Sequence, residues 1–522
     1  MIDLVGNRTL RDLLEERVSG HPNKPCLVFE AQDGEVREWT YAEMLSEVDR
    51  LASGLSELGV GKGDKITVHL ANSPEFLITL YAAATLGAIV VPSNVSNRPA
   101  ELRHILSYSD SIAVITEPAF LSVVDEAIQS VPEIRQRIMA RSKEKRDGWL
   151  LFTDIQEGGK ATVVSTATSE DVVEMLFTSG TTARPKGVLL THANLLRSGE
   201  RSSKSMYLTS DERCLTALPV FHVNAQSLTV LSALTVGGTC ILLEEYRASK
   251  FWDQVRAHGA TQISLVAMLA RTMLAQPPRE TDRDHRVRRV FYALNVTDAE
   301  REQFESRFGV ELVNGYGLSE AMTIVTVAPV FGPKRWPSIG LPAYDRLVRI
   351  VDVEGNDLPP GTPGELIVHG IPGRTLMKGY YKDPEGTARA IRDNWLYTGD
   401  NAYMDDKGYF YFFDRKKDVI KRAGENISAS EVEFVLVDHP QIVEAAVIGV
   451  PDEIRDEAVK AFVVTQPGSS LTAEAIQQYC REHLAHFKIP TIIELRETLP
   501  KTSIGKIEKK LLRQESDNER YA

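Results

Sequence analysis

Cysteine is scarce. The four in 522 residues (Cys26, Cys214, Cys240, Cys480) lie far apart and form no C-x-x-C pair, so neither a zinc site nor a disulfide framework is indicated, and a reducing, cytoplasmic compartment fits. Positive charge is short too. Against 72 Asp and Glu stand 60 Lys and Arg, a net charge of −12, which opposes a nucleic-acid protein drawing affinity from phosphate neutralisation and leaves room only for a local cationic pocket. No uncharged run reads as a membrane span. In Phe76 to Asn97, Pro92, Ser93, Asn94, Ser96 and Asn97 cut the apolar part to about 16 residues, below the ~20 a bilayer needs. Cys214 to Leu243 is broken by Pro219, His222, Asn224, Gln226 and Gly237-Gly238. The start, MIDLVGNRTLRDLLEERV, lacks the apolar block of a signal peptide and reads as an amphipathic helix. His483 and His486 share a helical face, but Glu482 does not complete H-E-x-x-H, so no metal is assigned there.

What is present is an ordinary globular composition, long enough for roughly three or four folding units. From the first hundred residues onward, β-type runs (KITVHL, AIVVP, SIAVITE, GGTCILLEE, TQISLV) alternate with helical patterns such as the one opened by Ser73-Pro74-Glu75. That alternation predicts an α/β fold with parallel sheets covered by helices. Arg137 to Gly159 is charged and turn-rich and reads as a surface excursion. After about residue 340, RLVRIVD, GELIVHG and GYFYFFDRKKD predict a small β-rich subdomain. From about Lys417 a second α/β pattern restarts. The expected domains are therefore 1–416 and 417–522.

The most informative stretch is Val172 to Leu195. An apolar run passes into Thr178-Ser179-Gly180-Thr181-Thr182-Ala183-Arg184-Pro185-Lys186-Gly187 and then VLLTHANLL, read as strand, hydroxyl-rich loop and helix. Small donors with Lys186 and Arg184 suit a polyphosphate. The loop lacks the Walker spacing, and a plain Ser/Thr turn is the bland alternative.

This loop resembles the signature of the adenylate-forming superfamily: acyl- and aryl-CoA synthetases, amino-acid adenylation domains and luciferases. Ala183 stands where that family usually has Gly. Four further motifs follow in the family's order: ELVNGYGLSE (Glu311 to Glu320), WLYTGD (Trp395 to Asp400), FDRKKD (Phe413 to Asp418) and LPKTSIGK (Leu499 to Lys506). The resemblance implies a large N-terminal domain with two parallel-type αβ sheets plus the β-rich subdomain, and a smaller, mobile C-terminal α+β domain. It gives Thr178, Ser179, Gly180, Thr181, Thr182 and Lys186 to the phosphates, Asn314, Gly315 and Tyr316 to adenine, Ser319 to the α-phosphate, and Glu320 to Mg²⁺. Asp400 and Arg415 fall to the ribose, Lys417 to the hinge, and Gly424, Glu425 and Asn426 to the CoA passage. Lys506 becomes the catalytic lysine, bridging the attacking carboxylate and the α-phosphate. LPVFH places Phe221 and His222 in the acyl pocket.

The reaction so implied is a two-step ligation. A carboxylate attacks MgATP to give acyl-AMP and pyrophosphate, then CoA displaces AMP, with no Ser-His-Asp set required. The stretch QPPRETDRDHRVRRVFYALN and Lys334 to Gly340 are most like the crotonobetaine/carnitine–CoA ligase branch. A betaine's quaternary ammonium needs an aromatic face or a carboxylate, and Tyr292 or Trp336 supplies the aromatic candidate. Medium- or long-chain fatty-acid and aryl-CoA ligases, a stand-alone enzyme loading a carrier protein, a luciferase-like monooxygenase and an ATP-binding regulator are the competing readings. The expected partners are a small carboxylic acid, ATP and CoA, with a homo-oligomer left open.

Overall fold

The β-branched runs and capped helices assemble into sheets as the alternation predicts. In the computed structural model, which describes residues 5–159, 163–178, 185–293, 296–415, 418–422, 425–452, 456–484, 486–501 and 507–521, the chain divides into two compact units. The first is Met1–Val296, Glu300–Val348 and Val368–Tyr397; the second is Thr297–Ala299, Arg349–Ile367 and Thr398–Ala522.

The first unit holds two mixed sheets. A nine-stranded sheet runs in the order Leu341–Pro342, Thr323–Val327, Glu311–Leu318, Arg289–Ala293, Gln262–Val266, Arg213–Thr216, Thr239–Leu243, Pro25–Glu30, Val36–Thr40. Its inner strands, Glu311–Leu318 through Pro25–Glu30, are parallel, and antiparallel strands close both edges. An eight-stranded sheet runs Gly379–Tyr380, Lys186–Thr191, Val172–Thr178, Ile89–Pro92, Lys65–His69, Ser111–Thr116, Gln136–Met139, Leu150–Leu151. Here too the interior is parallel. Central strands such as Ser111–Thr116 and Thr239–Leu243 are buried throughout, which is why they read as continuous apolar runs and not as alternating ones.

The uncharged stretch after Ser73 becomes a core helix, Pro74–Leu86, started by its first-turn proline and stopped at Gly87 in the left-handed region (φ 69°). Phe76 and Leu77 are fully buried in it, and Phe76→Ala would cost about 3–5 kcal/mol. Among the described residues, no helix is long and apolar enough to cross a membrane.

Two expectations are corrected. The hydroxyl-rich loop is followed by a strand, not a helix: Lys186–Thr191 pairs antiparallel with Val172–Thr178, placing Thr178 opposite Lys186. The helix His192–Ser205 starts only after Thr191, whose hydroxyl accepts from Asn194 N–H in a capping box. Second, Arg137 to Gly159 is not simply a surface excursion. Its polar middle is exposed, but Trp149, Leu151, Phe152 and Ile155 are buried and anchor it, because charge runs hide the few large apolar residues that set a segment's course.

In the second unit, Glu425–Ser428, Val419–Arg422, Asp456–Thr465 and Ile442–Asp452 form an antiparallel sheet, and Ile492–Leu495 adds parallel to Asp456–Thr465. Ala429–Val437 and Ala473–His483 pack Val432, Leu436, Ile476 and Cys480 onto its Val447, Val459 and Ala461.

Candidate active site

In the first unit the site grows from the hairpin that ends at Thr178 and resumes at Lys186. Ser179, Gly180, Thr181 and Thr182 lie outside the described residues. The short strand Gly379–Tyr380 adds to the hairpin's far edge, Tyr380 opposite Val188, with Lys378 and Tyr381 N–H donating to Leu189 and Gly187 carbonyls at 2.8 Å. This register carries Tyr380 to Lys186, whose ammonium sits 4.6 Å from the centre of the Tyr380 ring. The same ammonium is 3.1 Å from the Asp383 carboxylate. Asp383 caps the helix Pro384–Ala390, accepting from Gly386 N–H at 2.7 Å. That backbone N–H, then Lys186, hold its carboxyl below the usual range.

Tyr380 also reaches the nucleotide motif. Its hydroxyl donates to Glu320 Oε1 at 3.0 Å, and the Glu320 carbonyl accepts from Met377 N–H at 2.7 Å. Burial and the Glu320 carboxylate push the Tyr380 phenol well above its ordinary value, so it stays a donor. Ser319 and Glu320 sit on the single 3-10 turn Ser319–Ala321. Just before it, a Cβ on Gly317 would lie 2.2 Å from the Thr323 carbonyl oxygen, which explains glycine there: two backbones touch at a register shift in the strand pair. Just after it, Met322 and Thr323 take φ of 48° and 62°, a costly conformation for a β-branched residue. Asn314 spends its amide on the protein: its Oδ1 accepts from Gly315 N–H at 3.0 Å and its Nδ2 donates to the Ser338 carbonyl at 3.0 Å. Tyr316 is half-buried on the same strand.

The segment expected to line the acyl pocket is pinned from a distance. Asn72 Nδ2 donates to the Leu218 carbonyl at 3.0 Å and its Oδ1 accepts from Val220 N–H at 2.8 Å. The Phe221 and His222 rings lie 4.7 Å apart. A helical turn, Val223–Ala225, follows and then a π-helical stretch, Gln226–Leu231. Trp336 is half-buried with the Arg301 guanidinium 5.5 Å over its ring, so this candidate cation receptor already faces a cation. The Tyr292 side chain lies outside the described residues.

In the second unit, Asp400 and Arg415 stand directly opposite each other on antiparallel strands. Thr398 Oγ1 donates to the Leu366 carbonyl at 2.7 Å and accepts from Asp400 N–H at 3.2 Å. Gly399 turns with φ 72°. The Arg415 side chain lies outside the described residues, as do Lys417, Gly424, Lys506 and the side chains of Glu425 and Asn426. The chain just past residue 506 is anchored by a half-buried ion pair, Lys509 Nζ to Glu433 Oε1 at 2.8 Å, with Val447 N–H donating to the same oxygen at 2.6 Å. The glutamate keeps the Lys509 pKa above its ordinary value despite burial.

Sequence reasoning missed Tyr380, Asp383, Asn72 and Lys509. The signal for Asp383 was there: D-P-E-G is a helix start with a capping Asp and a first-turn Pro.

Comparison with known proteins finds two family models along the chain. The AMP-binding enzyme family matches residues 14–381, and the AMP-binding enzyme C-terminal domain matches 431–506. A crotonobetaine/carnitine–CoA ligase of Salmonella heidelberg is 39% identical over 517 residues, covering 98% of this chain and 100% of the relative, and that of Salmonella typhi is equally similar. Among solved structures, an anthranilate CoA ligase in complex with anthranoyl-AMP superposes with a TM-score of 0.91 at 25% identity, covering 100% of this chain and 99% of that one. A benzoate CoA ligase from Burkholderia xenovorans gives a TM-score of 0.86 at 25% identity, covering 97% and 100%.

Proposed function

The chain belongs to the AMP-binding enzyme family of acyl-CoA ligases, and from that premise we propose that its acid is a betaine of the crotonobetaine or carnitine type. Such a ligase takes ATP, a carboxylic acid and CoA through an acyl-adenylate. The substrate reading is supported by the 39% identical relatives that run the full length of the chain. The geometric observation that carries the chemistry is the Lys186–Tyr380–Glu320 cluster.

In the first step a carboxylate oxygen attacks the α-phosphorus, and the bond to the bridging oxygen breaks to release pyrophosphate. Positioning and charge neutralisation do the catalytic work there. Lys186 leaves Asp383 for the triphosphate together with the Thr178 to Thr182 loop, while Ser319 donates to the α-phosphate. Glu320 is a hard oxygen donor held in orientation by Tyr380, which fits Mg²⁺ bound by one carboxylate plus substrate phosphates; the ion would supply charge neutralisation on the polyphosphate. Asn314, Gly315 and Tyr316 flank adenine, and Asp400 and Arg415 hold the ribose. Phe221, His222, Tyr292 and Trp336 border the acyl group. Lys506, in a mobile 417–522 domain that pivots at Lys417, serves adenylation; Gly424, Glu425 and Asn426 serve the second step, in which the CoA thiolate attacks the acyl carbon and AMP leaves. The cytoplasm remains our compartment, supported by the free thiols of Cys26, Cys214, Cys240 and Cys480.

The test is pyrophosphate and thioester formation with MgATP and CoA across carnitine, crotonobetaine, fatty acids and aryl acids. Best turnover of a betaine acid is expected. Best turnover of an aryl acid would move the substrate toward that of the anthranilate ligase it superposes on, and pyrophosphate without CoA thioester would point to a carrier-protein acceptor.

A further inference from the structure

Charge is rare inside the central strands of the first unit, yet Glu174 sits in one of them with no solvent exposure. It lies on Val172–Thr178, four residues before the phosphate-binding loop, about 13 Å along the strand. Side chains alternate on a strand, so Glu174 shares the face of Leu176 and Thr178. Met175 points the other way, into a cluster with Ile89, Val91 and Ile105.

On the Glu174 face stands Gln226, the first residue of the π-helical stretch after the acyl segment. Its Nε2 donates to Glu174 Oε1 at 2.6 Å and to the Val220 carbonyl at 2.8 Å. Two acceptors on one nitrogen fix the amide's orientation, so the other amide atom is an oxygen. That oxygen and Glu174 Oε2 are both buried and have no hydrogen-bond partner among the described residues. Buried acceptors are normally satisfied. Here two oxygens are left open together, between the strand Val172–Thr178 and the acyl segment, where either a proton or a cation would satisfy them.

We propose that Glu174, held by Gln226, is the counter-charge for a cationic nitrogen carried by the acid. This rests on the betaine reading above and names residues that read the ammonium in place of Trp336, which faces Arg301. The acid's carboxylate lies toward the loop at Thr178 and its nitrogen toward Glu174. In the free protein burial raises the Glu174 pKa to about 8, with the Gln226 amide opposing, so the empty site holds a neutral carboxyl and avoids a bare buried charge.

The experiment compares γ-trimethylammoniobutanoate with its carbon isostere, in which a tert-butyl group replaces the trimethylammonium, as substrates of wild type and Glu174→Gln. The readout is the ratio of their kcat/KM values for CoA thioester formation. Wild type should favour the cation, and the variant should lower the ratio about 100-fold. A variant ratio within about threefold of wild type overturns the inference while leaving the betaine reading intact. A wild type that prefers the tert-butyl acid overturns both and leaves the ligase class standing. Should the variant not fold, calorimetry on wild type decides: at pH 7, binding γ-trimethylammoniobutanoate should release ~1 proton as the carboxyl ionises against the cation, read from the dependence of heat on buffer. Binding without release overturns the inference.

Discussion

Glu320 and Glu174 belong to the same unit and are opposites in their surroundings. Glu320 is half-buried on a one-turn helix, its carboxylate accepting a phenol hydroxyl whose ring carries a lysine ammonium. Glu174 is wholly buried in a strand and accepts a single neutral amide hydrogen bond. The difference teaches that a carboxyl's role is set by the donors the fold aims at it. On the proposed reading, the carboxylate with a donor and a cation beside it is the one that meets a metal ion. A lone amide beside a wholly buried carboxyl leaves a proton on it until a cation arrives.

Neutralising Glu320 should cut deepest. Glu320→Gln keeps the shape and the contact with Tyr380, yet adenylation should fall about a thousandfold, with a weakened dependence on Mg²⁺. Pyrophosphate release titrated with Mg²⁺ checks this, and an unchanged rate would end the contrast between the two carboxyls. The same substitution at Glu174 should appear first in stability. A glutamate that titrates near 4.5 when unfolded and at about 8 when folded keeps its proton longer in the native state. Stability is therefore lost as pH rises through that window, by an amount on the order of 4 kcal/mol. Glu174→Gln should flatten the fall, measured as urea midpoints of the first unit between pH 5 and pH 8.5. The acid-side loss should persist: His69 and His192, driven by burial to about 4, bind fewer protons folded than unfolded and cost stability as pH drops below about 6.5.

Much of this was legible in the sequence wherever local chemistry decided the outcome. Ser73-Pro74 and Gly87 bracket a helix that any reading of caps would find. The strand after the hydroxyl-rich loop was misread because VLLTHANLL carries apolar residues at both strand and helix spacing. Only its pairing with Val172–Thr178 decides between them. Tyr380 stayed invisible because its partners are remote: Glu320 lies 60 residues earlier, and Lys186 earlier still. Glu174 left one trace, a charge inside VVEMLF. A sequence cannot say whether such a charge meets water, an arginine or, as here, an amide.

The smaller effects sharpen the contrast around Glu320. Tyr380→Phe keeps the ring under Lys186 and removes only the hydroxyl that orients the carboxylate. Loss of one hydrogen bond to a charged group should lower kcat for adenylation about tenfold with a much smaller change in KM for ATP. A change confined to KM would mean that Tyr380 serves the lysine and not the glutamate.

Asp383→Asn goes further in the same direction. Asparagine caps a helix as well as aspartate does, so Pro384–Ala390 should persist, but the ion pair that holds Lys186 in the free protein is gone. Solvent-accessible pairs contribute about 0.2–1 kcal/mol, and ATP no longer has to displace this half-buried one. The KM for ATP should therefore drop by about twofold to threefold with kcat unchanged. A rise in KM would show that Asp383 presents the ammonium to the phosphates and does not compete for it, which would make the aspartate, with Tyr380, part of the device that keeps charge at the mouth of the site.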